Sequence, residues 1–236
     1  MSELLRGIDA VTFDFFCTLV FHREASGRGP AVMEYLTAQG FACAPWRHEI
    51  LYEIFEGYER VGGSAEAQRQ FRVALAGHLF ERLEIAAPAG EAERHADALW
   101  GLLGPNALET FPDVSAALGA LNAAGYPLAI VSNWPCGLGR FCAELGLLEH
   151  FDAVLCSGEL GAAKPDSRIF AEAAARLGVD PARVLHVGDS VVDDYEGAGA
   201  AGFRTVLIDR AGGAGLRAER VIRSLDELTR DLRPRP

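Results

Sequence analysis

The stretch "VTFDFFCTLVF", residues 11–21, places an aspartate at the end of an apolar run. Residues 10–16 are rich in β-branched and aromatic side chains, which predicts a β-strand that ends near Asp14. A carboxylate at the end of an apolar strand is costly unless it binds or reacts with something. Asp14 is therefore a candidate nucleophile, and its use depends on which groups the rest of the chain brings beside it.

The rest of the chain divides into a helical segment and an alternating segment. Residues 30–103 contain four helical patterns separated by Gly or Pro. From about residue 111, helical and strand patterns alternate, which is typical of parallel βα units. Strands are predicted at residues 127–133, 152–157, 183–189 and 204–209. We therefore predict an α/β protein with a Rossmann-like core and parallel sheet, residues 1–20 and 109–236, and an all-helical cap, residues 21–108, that closes over the strand ends.

Composition limits the partners of the chain. The 236 residues carry 22 basic and 33 acidic side chains, a net charge of −11, which disfavours broad nucleic-acid binding. No apolar stretch approaches the ~20 residues of a membrane span, and no signal peptide is evident. The five cysteines show no zinc or disulfide spacing. We expect a cytoplasmic protein that binds a small anionic molecule; the sequence leaves the oligomeric state open.

Polar residues follow three of the predicted strands. Asp14 ends the first strand, Ser132 and Asn133 end the strand at 127–133, and Asp189 ends the strand at 183–189. Ligands of an open parallel sheet bind at the carboxyl ends of its strands. We therefore expect these side chains to converge on one site.

Four segments carry these residues in order: FDFFCTL (13–19), IVSN (130–133), AAKPDSRIF (162–170) and HVGDSVVDDYEGAGAAG (186–202). Together they resemble the four motifs of the haloacid dehalogenase-like (HAD) superfamily of hydrolases, in the group with a helical cap after the first motif. One such segment is weak evidence, whereas four in this order at predicted strand ends are specific. The resemblance spans nearly the whole chain and implies a hydrolase that works through an aspartyl intermediate.

The resemblance implies a role for each matching residue. Asp14 would be the nucleophile, and Lys164 would neutralise the charge between it and the substrate. Thr18, Ser132 and the backbone amide of Asn133 would bind the anionic part of the substrate.

The resemblance also implies a Mg²⁺ site, because a hard cation prefers oxygen ligands. Its ligands would be Asp14, the backbone carbonyl of Phe16 and Asp189. A second acid of the fourth motif would bind metal-bound water or orient Lys164. The sequence leaves Asp193 and Asp194 open for that position, and we prefer Asp194, which lies three residues before Gly197.

Phe16 departs from the phosphatase pattern. Phosphatases of the superfamily carry an aspartate two residues after the nucleophile, which protonates the leaving group and then activates water. A positioned acid or base contributes roughly 10²–10⁴ in rate. A phosphatase with Phe16 is therefore slow or specialised, unless its leaving group needs no proton.

Two other functions stay open at this point. Haloacid dehalogenases also lack the second acid, work without metal, and place a halide-binding arginine roughly where Arg47 lies. The metal-binding form of the fourth motif argues against that reading, as does Phe170, where those enzymes carry tyrosine. A catalytically weakened binding or regulatory protein is the third alternative. The intact set of Asp14, Ser132, Lys164 and Asp189 favours a Mg²⁺-dependent phosphatase.

Overall fold

A six-stranded parallel sheet is the framework of the computed structural model, which describes residues 3–23, 27–47, 49–55, 64–212, 218–230 and 232. The strands are β1 (Ala10–Phe13), β2 (Val20–His22), β3 (Leu108–Thr110), β4 (Leu128–Ser132), β5 (Ala153–Cys156), β6 (Val184–Gly188), β7 (Arg204–Ile208) and β8 (Val221–Ile222). The six form one sheet in the order β5-β4-β1-β6-β7-β8, and β2 and β3 form a separate pair. The predicted α/β fold class is confirmed.

The helices follow the sequence patterns closely. They are α1 (Arg28–Ala38), α2 (Glu49–Phe55), α3 (Ala65–Arg82), α4 (Glu91–Leu103), α5 (Val114–Ala123), α6 (Leu138–Glu144), α7 (Ser157–Leu160), α8 (Ser167–Leu177), α9 (Gly197–Ala200) and α10 (Asp226–Thr229). A π-helical turn, Val191–Glu196, precedes α9. The second helical pattern of the sequence, residues 47–61, is described as a helix only over Glu49–Phe55, and residues 56–61 lie outside the described residues.

The chain forms two compact units. The first, the sheet unit, comprises Met1–Phe21, Thr110–Trp134 and Gly146–Pro236. The second, the helical unit, comprises His22–Glu109 and Pro135–Leu145. Residues 135–145, which include α6, thus group with the helical unit, whereas the sequence analysis assigns them to the core.

The helical unit is held by apolar and ionic contacts among its own helices. α3 begins at an N-cap, Ser64, whose hydroxyl accepts a hydrogen bond from the amide of Ala67 at 3.2 Å. Phe71 of α3 meets Trp100 of α4 edge-to-face, with 5.7 Å between ring centroids. Exposed ion pairs such as Arg72 with Asp97 flank this contact and add little stability. Apolar packing therefore holds this unit together.

β1 occupies a central place in the sheet. All four of its residues are buried, and it pairs in parallel with β4 on one side and β6 on the other. A buried parallel strand of this kind reads as a continuous apolar run, which is why the sequence predicts it well. Its last residue, Phe13, pairs with Ile130 of β4 and Val187 of β6, so the carboxyl ends of three strands meet where Asp14 begins.

In the described part of the chain, no helix combines the length and apolarity needed to cross a membrane. All five cysteines lie among the described residues, and none of them forms a disulfide bond.

Arg210, just after β7, ties the loop after Asp14 to the rest of the sheet unit. Its guanidinium donates two hydrogen bonds to the carbonyl of Thr18, at 3.0 and 2.7 Å, and lies 3.8 Å from the ring centre of Phe111. Its remaining arm pairs with Asp113 at 3.0 Å. Asp113 Oδ2 also accepts from Ser224 Oγ at 2.8 Å and from the amide of Leu225 at 2.7 Å. One carboxylate thereby joins α5, Arg210 and the start of α10.

Replacing Asp113 should destabilise the sheet unit. We expect Asp113→Ala to lower the free energy of unfolding by about 2–4 kcal/mol, because it leaves Arg210 without its partner. Burial opposes ionisation of Asp113, but its hydrogen bonds from Arg210, Leu225 and Ser224 lower its pKa below 3.8. The stabilisation is therefore complete at neutral pH and is lost as the pH falls through the folded pKa.

Urea denaturation of the wild type and Asp113→Ala measures this difference. The gap in unfolding free energy should narrow once the pH falls below about 3.8. Glu149→Ala, which removes an exposed acid, is the control and should have no effect. Equal stabilities of Asp113→Ala and wild type at neutral pH would contradict the assigned role.

Candidate active site

The candidate site lies at the carboxyl ends of β1, β4 and β6. Asp14 follows β1, Ser132 is the last residue of β4, and Asp189 follows β6. The amide of Asp14 donates a 2.9 Å hydrogen bond to the carbonyl of Val187, so the backbone pairing of β1 with β6 continues one residue past the strand. The side chains that the sequence places at strand ends are brought to one edge of the sheet.

The Asp14 carboxylate is buried and held by two donors. Ser132 Oγ donates to Asp14 Oδ1 at 3.0 Å, and Lys164 Nζ donates to the same oxygen at 2.7 Å. Burial raises the pKa of Asp14, the charge of Lys164 opposes this rise, and the nearby Asp194 adds to it; the net direction is upward. Two donors on one oxygen fix the orientation of the carboxylate.

Lys164 bridges two carboxylates. It is the only lysine in the sequence, and its side chain is 2% exposed. Its Nζ lies 2.7 Å from Asp14 Oδ1 and 2.5 Å from Asp194 Oδ1. Burial alone would lower the pKa of Lys164, but Asp14 and Asp194 outweigh it and raise the pKa. A buried ammonium between two carboxylates stays charged.

Asn133 holds the backbone of Lys164. Its side-chain Oδ1 accepts from the amide of Lys164 at 2.7 Å, and its Nδ2 donates to the carbonyl of Lys164 at 2.9 Å. This double hydrogen bond fixes the loop that carries the lysine. The sequence analysis considers only the backbone amide of Asn133, whose role toward a substrate stays a prediction.

Asp194 is positioned by the π-helical turn after β6. The carboxylate accepts from Lys164 and from His186 Nε2 (3.0 Å) on Oδ1, and from the amide of Ser190 (2.9 Å) on Oδ2. It packs so closely on Gly188 that a Cβ there would lie 2.2 Å from Asp194 Cγ, so glycine is required. Burial would raise the pKa of Asp194, but Lys164 and His186 hold it below its ordinary value.

Asp193, the alternative second acid, is only half-buried. Its amide donates to Ser190 Oγ at 3.1 Å, and Ser190 thereby caps the π-helical turn. Of the two adjacent acids, Asp194 alone belongs to the described cluster that could hold a metal ion. The geometry therefore favours Asp194 for the role that the sequence leaves open.

Asp189 completes a group of three carboxylates. One oxygen each of Asp14, Asp189 and Asp194 lie within 4.8 Å of one another. Burial and the charges of Asp14 and Asp194 raise the pKa of Asp189 to about 7. Thr18 is buried, and its hydroxyl donates to Asp189 Oδ1 at 3.4 Å. Thr18 therefore contacts one of these three carboxylates. Three close carboxylates beside one lysine suit a divalent cation.

Phe16 and Cys17 lie in the tight turn after Asp14. The amide of Cys17 donates to the carbonyl of Val20 at 2.7 Å, and Cys17 has a left-handed backbone with φ of 63°. This conformation favours glycine, so the cysteine is strained there. Burial and the neighbouring acids Asp189 and Asp14 raise the pKa of Cys17 to about 11, so the thiol is a poor nucleophile.

Aromatic rings surround this turn. Trp134 packs edge-to-face on Phe15, with 5.1 Å between ring centroids, and lies 6.5 Å from the ring of Phe16. The half-buried Phe16 ring thus faces an aromatic neighbour within the sheet unit. Phe16 as a metal ligand through its carbonyl stays a prediction.

Arg47 lies in the helical unit, before α2, and is exposed. Its predicted contact with a substrate stays a prediction.

Two polar residues of the site escape the sequence analysis. His186 and Thr12 are fully buried in adjacent strands, and they connect to Asp194 by hydrogen bonds. The sequence feature that could reveal His186 is its place within the apolar run "RVLHVG", residues 183–188. A polar side chain buried in such a run requires a hydrogen-bond partner.

The chain is similar to a family of hydrolases and to several known proteins. A family model for haloacid dehalogenase-like hydrolases matches residues 8–202. Phosphoserine phosphatase of Thermus thermophilus is 35% identical over 203 residues, which is 80% of this chain and 76% of that protein. Haloacid dehalogenase-like hydrolase domain-containing protein 3 of mouse is 49% identical over 84 residues, 36% of this chain and 34% of its own length. The chain thus matches about a third of that mouse protein.

Solved structures of two kinds are similar along almost the whole chain. A HAD phosphatase from Thermococcus onnurineus has a TM-score of 0.63 and 26% identity, covering 97% of this chain and 99% of that one. A 2-haloacid dehalogenase from Pseudomonas syringae has a TM-score of 0.62 and 28% identity, covering 94% and 97%. Overall similarity therefore does not separate phosphatase from dehalogenase chemistry, and the residues of the site must do so.

Replacing Lys164 tests the electrostatics of the site. We expect Lys164→Met to lower the free energy of unfolding by about 3–5 kcal/mol, because it leaves Asp14 and Asp194 buried without their cation. Urea denaturation at neutral pH measures the difference. Arg168→Met breaks an exposed ion pair with Asp166 and should leave stability unchanged. A Lys164→Met protein as stable as the wild type would contradict the buried ion-pair arrangement.

Proposed function

Since the chain belongs to the haloacid dehalogenase-like hydrolase family, we propose that it is a Mg²⁺-dependent phosphatase that acts on a small phosphorylated metabolite. The observation that carries the proposal is the cluster of Asp14, Asp189 and Asp194, whose oxygens lie within 4.8 Å of one another beside Lys164. A dehalogenase releases halide and has no need of three acids there. Phosphoryl transfer, in contrast, concentrates negative charge that cations must balance.

Each side chain has a separate role in the proposed reaction. Asp14 forms a bond to phosphorus as the bond to the leaving oxygen breaks, and water then hydrolyses the aspartyl phosphate to release phosphate and restore Asp14. Ser132 holds the carboxylate of Asp14 in orientation through the 3.0 Å hydrogen bond. Lys164 balances charge between Asp14 and the phosphoryl group, an electrostatic contribution that is often the largest in such sites.

The acidic residues fit a magnesium ion. Mg²⁺ binds oxygen ligands. The site offers such oxygens from the carboxylates of Asp14, Asp189 and Asp194 and from the carbonyl of Phe16. Asp194 is already held by three hydrogen bonds, so it would act on the ion through water or by orienting its neighbours. An ion held there would supply positive charge that balances the negative charge of the phosphoryl group.

The substrate and the compartment are further expectations. A net charge of −11 argues for a small anion rather than a nucleic acid, because only the local charge of the site has to attract it. The absence of disulfides among the five described cysteines suits a reducing compartment, so we place the activity in the cytoplasm.

Metal dependence and the nucleophile can be tested together. We expect phosphate release from a panel of phosphorylated metabolites that requires Mg²⁺ and stops in chelator, with no release by Asp14→Asn. Asp166→Asn, a change outside the carboxylate cluster, is the matched control and should keep the activity.

Other outcomes point to other functions. Halide release from a 2-haloacid that persists in chelator would replace the proposal with dehalogenation, the chemistry of one structural relative. Equal ligand affinity of wild type and Asp14→Asn, with no turnover of any phosphorylated compound, would make the protein a binding or regulatory module.

Phe16 sets the leaving groups that the site handles. The position lacks an acid to protonate an alkoxide, so phosphates with acidic leaving groups, such as acyl or aryl phosphates, should react best. We expect Phe16→Asp to raise kcat/KM for alkyl phosphates by roughly 10²–10⁴, and to change that for p-nitrophenyl phosphate far less.

Rates across a series of aryl and alkyl phosphates check this expectation. A plot of log kcat/KM against leaving-group pKa should be steep for the wild type and flatter for Phe16→Asp. Phe16→Asn controls for the loss of the ring without adding an acid. Parallel slopes for all three proteins would mean that the proton comes from another group.

A further inference from the structure

His186 is a polar residue in an apolar part of the sheet. It lies in β6, directly opposite Thr12 of β1, and both are fully buried. The ring of Phe170 meets the imidazole edge-to-face, with 5.3 Å between centroids. Burying an imidazole is costly unless its nitrogens are hydrogen-bonded. The partners of the two nitrogens therefore explain why a histidine is tolerated at this position.

Both ring nitrogens have partners. Nε2 lies 3.0 Å from Asp194 Oδ1, and Nδ1 lies 2.8 Å from Thr12 Oγ1. An ionised carboxylate only accepts hydrogen bonds, so Nε2 carries the proton on that side. In the neutral ring Nδ1 then accepts, and the hydroxyl of Thr12 donates to it in preference to the carbonyl of Leu185 at 3.5 Å. Asp194 thus selects the tautomer with the proton on Nε2, and the hydroxyl of Thr12 satisfies the other nitrogen.

The contact with Asp194 continues to the nucleophile. Asp194 Oδ1 accepts from His186 and also from Lys164 Nζ, at 2.5 Å, and the same Nζ reaches Asp14 Oδ1 at 2.7 Å. A carboxylate that loses one of its donors can rotate about its side-chain bonds. Rotation of Asp194 would shift the ammonium that it shares with Asp14. The chain Thr12, His186, Asp194, Lys164, Asp14 is continuous in hydrogen bonds.

We propose that His186 is a positioning residue for the hydrolytic reaction: it fixes the carboxylate of Asp194 and, through Asp194, the place of Lys164 beside Asp14. This rests on the proposed function for its effect on turnover, but the effect on Lys164 is independent of any substrate. The competing explanation is that His186 serves only to fill space against Phe170. The two explanations differ in whether the positions of Asp194 and Lys164 depend on an N–H donor at Nε2.

Two amide substitutions separate these explanations. His186→Gln keeps an N–H donor near the position of Nε2, whereas His186→Asn reaches only toward the position of Nδ1. His186→Leu removes both groups and keeps an apolar side chain in the core. Thr12→Val removes the hydroxyl that donates to Nδ1, and Thr12→Ser retains it. His150→Leu makes the same chemical change at a histidine that contacts Asn122 at 3.2 Å outside the site, and serves as the control.

The only lysine of the chain gives a direct readout. Protein labelled with ¹³C at lysine Cε yields a single lysine signal, whose position reports the surroundings of Lys164 without any substrate. We expect His186→Leu, His186→Asn and Thr12→Val to shift this signal from the wild-type position. His186→Gln, Thr12→Ser and His150→Leu should leave it near the wild-type position.

Turnover of p-nitrophenyl phosphate with Mg²⁺ gives the second readout. We expect His186→Leu and His186→Asn to lower kcat roughly 10- to 100-fold, the loss expected for one hydrogen bond to a charged group, with little change in KM. His186→Gln should restore most of the rate. Thr12→Val should have no further effect in the His186→Leu protein, because both changes interrupt the same chain.

The possible results are distinct. If His186→Leu fails to fold, the pair of Gln and Asn variants still decides the question. The positioning role would be overturned if all His186 variants had lower thermal stability while the Lys164 signal did not move. His186 would then serve only in packing against Phe170. If the wild type hydrolyses neither this ester nor any compound of the metabolite panel, the proposed function fails, and the Lys164 signal alone decides the role of His186.

Discussion

The buried ammonium of Lys164 between Asp14 and Asp194 is the interaction on which the rest of the site depends. Without a cation, three carboxylates with oxygens inside 4.8 Å of one another would repel in a region of low polarity. The sequence has no other lysine, so no second ammonium group can replace that of Lys164. The surrounding hydrogen bonds keep that one group in place: Asn133 holds the backbone of Lys164, and His186 and the amide of Ser190 hold Asp194.

Sheet topology supplies the elements that meet there. The order β5-β4-β1-β6-β7-β8 puts β1 between β4 and β6, so Asp14 has Ser132 on one side and the Asp189 segment on the other. Parallel strands end at the same edge, which brings together residues separated by more than a hundred positions in the chain. Asp194, in the π-helical turn, packs closely on Gly188 at the end of β6.

The sequence was sufficient for features that follow from periodicity, and insufficient for those that follow from side-chain direction. Apolar runs with polar ends predict the strands, and thereby the convergence of Asp14, Ser132 and Asp189. Nothing in the pattern says that the amide group of Asn133 points at the backbone of Lys164, because that contact joins two loops 31 residues apart. The link from His186 to Asp194 is hidden for the same reason, since strand alternation gives the face of a side chain but not its partner.

The contacts of Phe16 explain how this position can differ from a phosphatase pattern while the charged groups stay in place. Asp14 is held by Ser132, the last residue of β4, and by Lys164, which lies in the loop before α8. Phe16 packs near Trp134, and the turn around it closes through the backbone of Cys17 and Val20. Under the proposed function, charge neutralisation by Lys164 and proton transfer at position 16 therefore involve different side chains.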